Sequence, residues 1–315
     1  MQVRLWKVLI PALGLTIVYT ACKKDESATS VTSSNAQTNP KLSGVTPDDP
    51  AKLAKLPLVV SSQFYQGIKS GARKPTSNNN TSTPPPPPPT DTTTVTVVQP
   101  APLPSSYLLT TPTPGNQGGE GSCVAWATAS ARSIEQYYRT NAGSYSYSTD
   151  IFSPEYIFNQ IEVGGCNASA MGDAMYLVQN QGVCTWQIMP YSSTNGCTTM
   201  PTNTQVANAA NYKIPSYSVM YASDITAIKT ALAANHPLAT TAVIDDHFYN
   251  ATAGYIWNSL GTMVTTHAFI LVGYDDSKNA FKIMNSWGTT WGDGGFLWVD
   301  YNFLSQVSGT LYKMN

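Results

Sequence analysis

The stretch Asn116-Gln117-Gly118-Gly119-Glu120-Gly121-Ser122-Cys123-Val124-Ala125-Trp126-Ala127 runs from a glycine-rich turn directly into a helix. Val124, Ala127, Ala131, Ile134 and Tyr138 recur at spacings of 3, 4, 3 and 4, one face of a helix that begins near Ser122 or Cys123. A thiol at such a helix start meets unsatisfied backbone N–H groups and the positive end of the helix dipole. Both favour the thiolate, the form in which cysteine is a nucleophile. A lone cysteine is otherwise a small buried apolar residue or half of a disulfide. The flanking motif sets Cys123 apart from those two cases.

Outward from this helix the pattern is helical first and strand-like later. Ser153-Pro154-Glu155 is a helix start with proline at the first helical position. Residues 169–181, closed by Gly182, and 223–235, closed by Pro237, predict two further helices. Apolar, aromatic or β-branched runs at 238–244, 255–257, 267–274, 280–285 and 296–299 then predict strands, separated by Gly, Asn and Asp. Helices followed by strands predict an α+β protein with a helical lobe and a sheet or barrel lobe. His267 lies on one of these strands, 144 residues after Cys123, and Asn285 follows it by 18.

Together with His267-Ala268-Phe269-Ile270-Leu271-Val272-Gly273-Tyr274 and Asn285-Ser286-Trp287-Gly288-Thr289-Thr290-Trp291-Gly292, the Cys123 stretch resembles the papain-like cysteine peptidases. The resemblance runs from Leu103-Pro104 to Leu311-Tyr312-Lys313. It implies two lobes, a helical left one and a β-barrel-like right one, with the active site in the cleft between them. It also implies a triad: Cys123 as nucleophile, His267 as its imidazolium partner and proton donor to the leaving amine, and Asn285 as the group that orients the ring. Gln117 is implied as a side-chain donor to the oxyanion, beside the backbone N–H of Cys123. Trp287 resembles the indole that shields the His–Asn bond and is counted with the substrate-binding residues. Those are Ser169 on the backbone rail and Met171, Thr241, Thr265 and Ala268 around the second specificity pocket. No charged group is among them, so the expected side chain two positions before the cut is neutral and of medium size, such as Val or Leu. No metal or organic cofactor is implied. The sequence-local Asp245-Asp246-His247 cluster lacks metal-ligand spacing.

Departures from the family pattern carry information too. Glu120 stands where the family has a disulfide cysteine, so the usual bridge to Cys166 cannot form, and Val124 replaces an aromatic residue. Ala168 and Ser169 replace two glycines of the rail. Besides Cys22 and Cys123, only Cys166, Cys184 and Cys197 remain, so one disulfide at most forms among these three. The expected pair is Cys184 with Cys197, closing a short loop around Pro190-Tyr191.

The first hundred residues differ in kind. Arg4 and Lys7 precede an apolar run over 8–18 and the small residues Thr20 and Ala21, which describes a secretory signal over residues 1–21. Tyr19-Thr20-Ala21-Cys22-Lys23-Lys24-Asp25-Glu26 resembles the lipobox and export tag of Bacteroidetes-type bacterial lipoproteins, with Cys22 acylated. Residues 22–100 are rich in Ser, Thr, Asn and Pro, including six consecutive prolines at 84–89, and predict a disordered tether. One apolar island, residues 53–69, is suited to docking, near the cleft by expectation. The folded domain is expected over 101–315.

Residues 1–100 hold 10 basic and 5 acidic side chains, against 7 and 13 in residues 101–315. An acidic, Lys/Arg-poor domain lacks the footprint of a nucleic-acid binder. No run reaches the roughly 18 apolar residues of a spanning helix. The expectation is therefore a monomeric thiol endopeptidase that acts on peptide or protein substrates, lipid-anchored at the bacterial outer membrane or cell surface. The rivals are a catalytically silent binding module and a thiol-dependent amidase or transpeptidase.

Overall fold

The computed structural model describes residues 42–43, 45–59, 102–194 and 196–315. The signal segment, Cys22 and most of the tether lie outside the described residues.

Through the middle of the domain runs the Cys123 helix. In chain order the first elements are β1 (Leu42–Ser43), α1 (Pro50–Leu53), β2 (Ser106–Leu108) and this helix, α2 (Cys123–Thr140). Every residue from Cys123 to Ala129 is buried, so α2 is enclosed on all sides over its first two turns. Ala125, Ala127, Ala129 and Ala131 are all buried, and their small side chains keep the helix thin enough for the sheet and the other helices to approach. Asn141 ends it in the left-handed region, with φ 51°.

The helical lobe adds α3 (Pro154–Ile161) and α4 (Met171–Asn180), both packed on α2, and α5 (Asn203–Ala209). Ser153 caps α3 by accepting from the Tyr156 N–H at 3.0 Å. The α4 helix starts two residues later than the pattern predicts. Ala170 is extended, and Ser169 is drawn into strand-like pairing with Val45.

The sheet lobe comprises β3 (Tyr217–Tyr221), α6 (Ile225–Ala233), β4 (Leu238–Asp245), α7 (Asp246–Tyr249), β5 (Ile256–Trp257), β6 (Met263–Asp275), β7 (Ala280–Met284), β8 (Phe296–Asp300), α8 (Tyr301–Val307) and β9 (Thr310–Met314). Its strand order is β3-β9-β4-β6-β7-β8-β5, with β1 and β2 both pairing on β6. Five expected strands correspond to β4, β5, β6, β7 and β8. The terminal run forms β9, which pairs antiparallel with both β3 and β4 and so ties the chain end into the sheet. This is the α+β, two-lobe architecture that the pattern predicts. No helix among the described residues is long and apolar enough to cross a membrane.

Two expectations need correction. The disulfide joins Cys166 to Cys197, whose Cα atoms are 5.4 Å apart, and not Cys184 to Cys197. Cys184 is a free thiol, fully buried, with its backbone carbonyl accepting from the Ser153 N–H. It therefore faces the core, while Cys166 sits in a left-handed turn beside Cys197. Second, part of the expected tether is folded onto the domain. Val219 donates its N–H to the Pro57 carbonyl at 2.9 Å, and its own carbonyl accepts from Val59 at 2.7 Å. Within the island at 53–69, these contacts fall in residues 53–59; residues 60–69 lie outside the described residues.

Candidate active site

The site is assembled where the start of α2 meets β6 and the loop after β7. His267 is paired with Ala242 in the β4–β6 ladder and is wholly buried. Its Nε2 lies 2.7 Å from Asn285 Oδ1, which also accepts the Ser286 N–H at 2.7 Å. With Nε2 engaged, Nδ1 is the nitrogen left to exchange a proton. It is buried and makes no hydrogen bond. Trp287 lies against the imidazole, with ring centroids 4.6 Å apart, and is only 3% exposed. It packs in turn on Phe248, Tyr249 and Trp291. Its place is thus over the His–Asn pair, in an aromatic stack that excludes water, rather than on an open substrate surface.

Cys123 opens α2, which packs against β6, and is fully buried. Ser122, at the cap position, makes no side-chain cap bond; its hydroxyl turns 2.8 Å to Tyr191 Oη. The first-turn N–H groups are therefore not consumed by a capping side chain, and the helix terminus keeps its positive character at the sulfur. Burial holds His267 down to about 4, opposed by the Asn285 hydrogen bond. The Cys123 thiolate that the resemblance sets against this ring would add a negative charge and raise the value.

Gln117 is fixed at both ends of its amide. Nε2 donates to the Glu120 carbonyl at 2.9 Å, which leaves its second N–H for another acceptor. Oε1 accepts from the Ser286 hydroxyl at 2.7 Å, which sets the amide's orientation. The Gln117 N–H donates to the Ser286 carbonyl at 2.9 Å, and the Gly288 N–H to the Gly115 carbonyl at 2.8 Å. These bonds stitch the turn before the nucleophile to the loop that carries Asn285. Ser286 escaped notice in the sequence, although its place between Asn285 and Trp287 was a signal. Gly121 is obligatory: a Cβ there would lie 1.9 Å from the Asn167 carbonyl oxygen.

The expected substrate-binding residues come together only in part. Met171 and Ala268 are buried, and Thr241 pairs with Ala268 across the β4–β6 ladder. Ser169, also buried, is occupied: Val45 bridges it in the parallel sense, and the Thr46 N–H donates to its carbonyl at 3.1 Å. Thr265 likewise pairs with Leu42. Asp48 follows, its carboxylate accepting from the Gly172 N–H and the Tyr312 hydroxyl. Residues 42–43 and 45–48 thus lie along the elements that the resemblance assigns to substrate.

A model described as papain family cysteine protease matches residues 110–309. The chain belongs to the papain family. Among curated relatives it is 32% identical over 184 residues to gamete and mating-type specific protein A of Dictyostelium discoideum, covering 58% of this chain and 39% of that one. It is 30% identical over 186 residues to ananain of Ananas comosus, covering 58% and 50%. The chain spans about half the length, or less, of these relatives. Among solved structures it resembles xylellain, a cysteine protease from Xylella fastidiosa, at 26% identity and TM-score 0.59, covering 68% of this chain and 87% of the other. Cys123 begins a helix of the helical lobe and His267 lies on a strand of the sheet lobe.

Proposed function

We propose that this chain is a thiol endopeptidase that cleaves peptide bonds through a thioester, held at a bacterial membrane surface by an acylated Cys22. The observation that carries the chemistry is the His267–Asn285 bond beneath Trp287, with Nδ1 left open. The reduced Cys123 thiolate attacks the substrate carbonyl, and the oxyanion takes the Cys123 backbone N–H and the second N–H of Gln117. The C–N bond breaks as His267 passes its proton to the leaving amine, and water then hydrolyses the thioester with His267 as base. The anchor rests on the sequence around Cys22, and endo-acting specificity on the family resemblance.

Residues 42–43 and 45–48 compete in cis with substrate for the Ser169 rail. Such a competitor raises the apparent KM while leaving kcat intact at saturation. The deciding experiment treats the reduced full chain with iodoacetamide. The expected result is labelling at Cys123, near pH 6, faster than a thiol of pKa about 8.5 allows, with loss of peptide hydrolysis. Ordinary thiol reactivity, with no hydrolysis across a broad peptide library, would instead identify a silent binding module. Product formation with an added amine acceptor would identify a transferase.

A further inference from the structure

Position 120 is where this chain leaves the family pattern most sharply, because Glu120 replaces the bridging cysteine and Cys166 is bonded to Cys197 instead. Something else must hold the turn that carries Gln117. The Tyr191 hydroxyl stands at its centre, 2.7 Å from the Gln117 carbonyl oxygen, 2.8 Å from Ser122 Oγ and 3.2 Å from Glu120 Oε2. The Trp126 ring steadies Tyr191 edge-on at 4.9 Å. One hydroxyl thus touches residues 117, 120 and 122 around the nucleophile, the span that a disulfide at 120 would have fastened.

A tyrosine hydroxyl has one proton and cannot donate to two acceptors at once. While Glu120 is protonated it needs no donor, and Tyr191 donates to the Gln117 carbonyl. Once Glu120 ionises, its carboxylate is the stronger acceptor, because a charge-assisted bond is roughly twice as strong as a neutral one. The proton then turns toward Glu120, and the Gln117 carbonyl loses its clamp. We propose that Tyr191 and Glu120 are positioning residues for the Gln117 oxyanion donor: Tyr191 clamps the turn while Glu120 is protonated and releases it when Glu120 ionises. This rests on the role given to Gln117 under the proposed function.

The surroundings keep the protonated form of Glu120 accessible. Glu120 is 7% exposed, and burial raises its pKa, with Glu155 of α3 raising it further and the Tyr191 bond lowering it. Those two groups are the titratable neighbours that act on it. Glu155 is itself engaged by Asn159 Nδ2 at 3.1 Å and the Ser192 N–H at 3.2 Å.

The test measures kcat and KM against pH for the reduced full chain and for Glu120→Gln, Tyr191→Phe and Gln117→Ala, with iodoacetamide labelling of Cys123 in parallel. Alkylation makes no use of an oxyanion donor. In the wild type kcat should fall about tenfold as Glu120 ionises, with KM unchanged. Glu120→Gln can donate to Tyr191 but cannot ionise, so its kcat should hold the acid-side value across that range. Tyr191→Phe should lower kcat about tenfold on the acid side and match the wild type once Glu120 is ionised, with the labelling rate within about twofold of wild type. A second readout needs no turnover: in Cys123→Ala, the carboxyl carbon signal of Glu120 and the ring signals of Tyr191 should titrate with one midpoint. An unchanged pH profile in Glu120→Gln, or independent titration of the two residues, overturns the proposal. If Gln117→Ala leaves kcat intact while the two residues still titrate together, it is the oxyanion role of Gln117 that has failed.

Discussion

Replacing Cys123 by alanine isolates the electrostatics of His267. The ring is fully buried, its Nε2 is bound to Asn285, and its Nδ1 makes no hydrogen bond. In Cys123→Ala, burial should hold the imidazole at about 4, against 6.5 for an unperturbed ring. At about 1.4 kcal/mol per pH unit, that interval is worth about 3 kcal/mol. The sign follows from proton binding. Between pH 6.5 and 4 the unfolded chain carries a proton on this residue that the folded chain does not. Stability should therefore be full above 6.5 and decline through that window as pH falls. Urea unfolding of Cys123→Ala at pH 4.5 and 7.5, compared with Cys123→Ala/His267→Gln to subtract the carboxylates, should recover most of this difference. Proton NMR titration supplies the midpoint directly, and with three histidines in the chain the signals can be assigned through His236→Gln and His247→Gln variants. Reduced wild type should titrate higher than Cys123→Ala, because a thiolate then faces the ring. The reasoning is refuted if His267 in Cys123→Ala titrates near 6.5, or if reduced wild type and Cys123→Ala titrate together.

Further outcomes follow from the same contacts. Ser286→Ala frees the Gln117 amide to turn and should lower kcat about tenfold, whereas Gln117→Ala removes the donor and should cost about 10- to 1,000-fold; neither should slow alkylation of Cys123 comparably. Asp48→Ala removes the bonds from Gly172 and Tyr312 that seat residues 42–43 and 45–48, and should lower the apparent KM about tenfold without raising kcat. Cys184 should resist iodoacetamide in the native protein, since burial pushes its thiol up to about 12, and it should react only on unfolding. Cys197→Ala opens a bridge spanning 31 residues and should lower stability by about 3 kcal/mol in denaturant titrations under non-reducing conditions.

What the sequence determined by itself was local in origin. The start of α2 at Cys123, the proline-led start of α3 and the runs that became β4, β6, β7 and β8 all follow from periodicity and end signals within a few residues. Cys123, His267, Asn285 and Gln117 stand out as candidates because each is embedded in a short motif, in a fixed order along the chain. Only the tertiary structure decided which cysteines meet. Cys184 lies nearer to Cys197 in sequence, but its place in the core leaves Cys197 to Cys166, across 31 residues. The same holds for the brace of Ser286 on Gln117, the convergence of residues 117, 120 and 122 on Tyr191, and the pairing of Val45 with Ser169. Each joins groups tens of residues or more apart along the chain. Residue type near either partner carries no record of such a meeting, because it is packing of the helical lobe against the sheet that sets which groups lie within bonding distance.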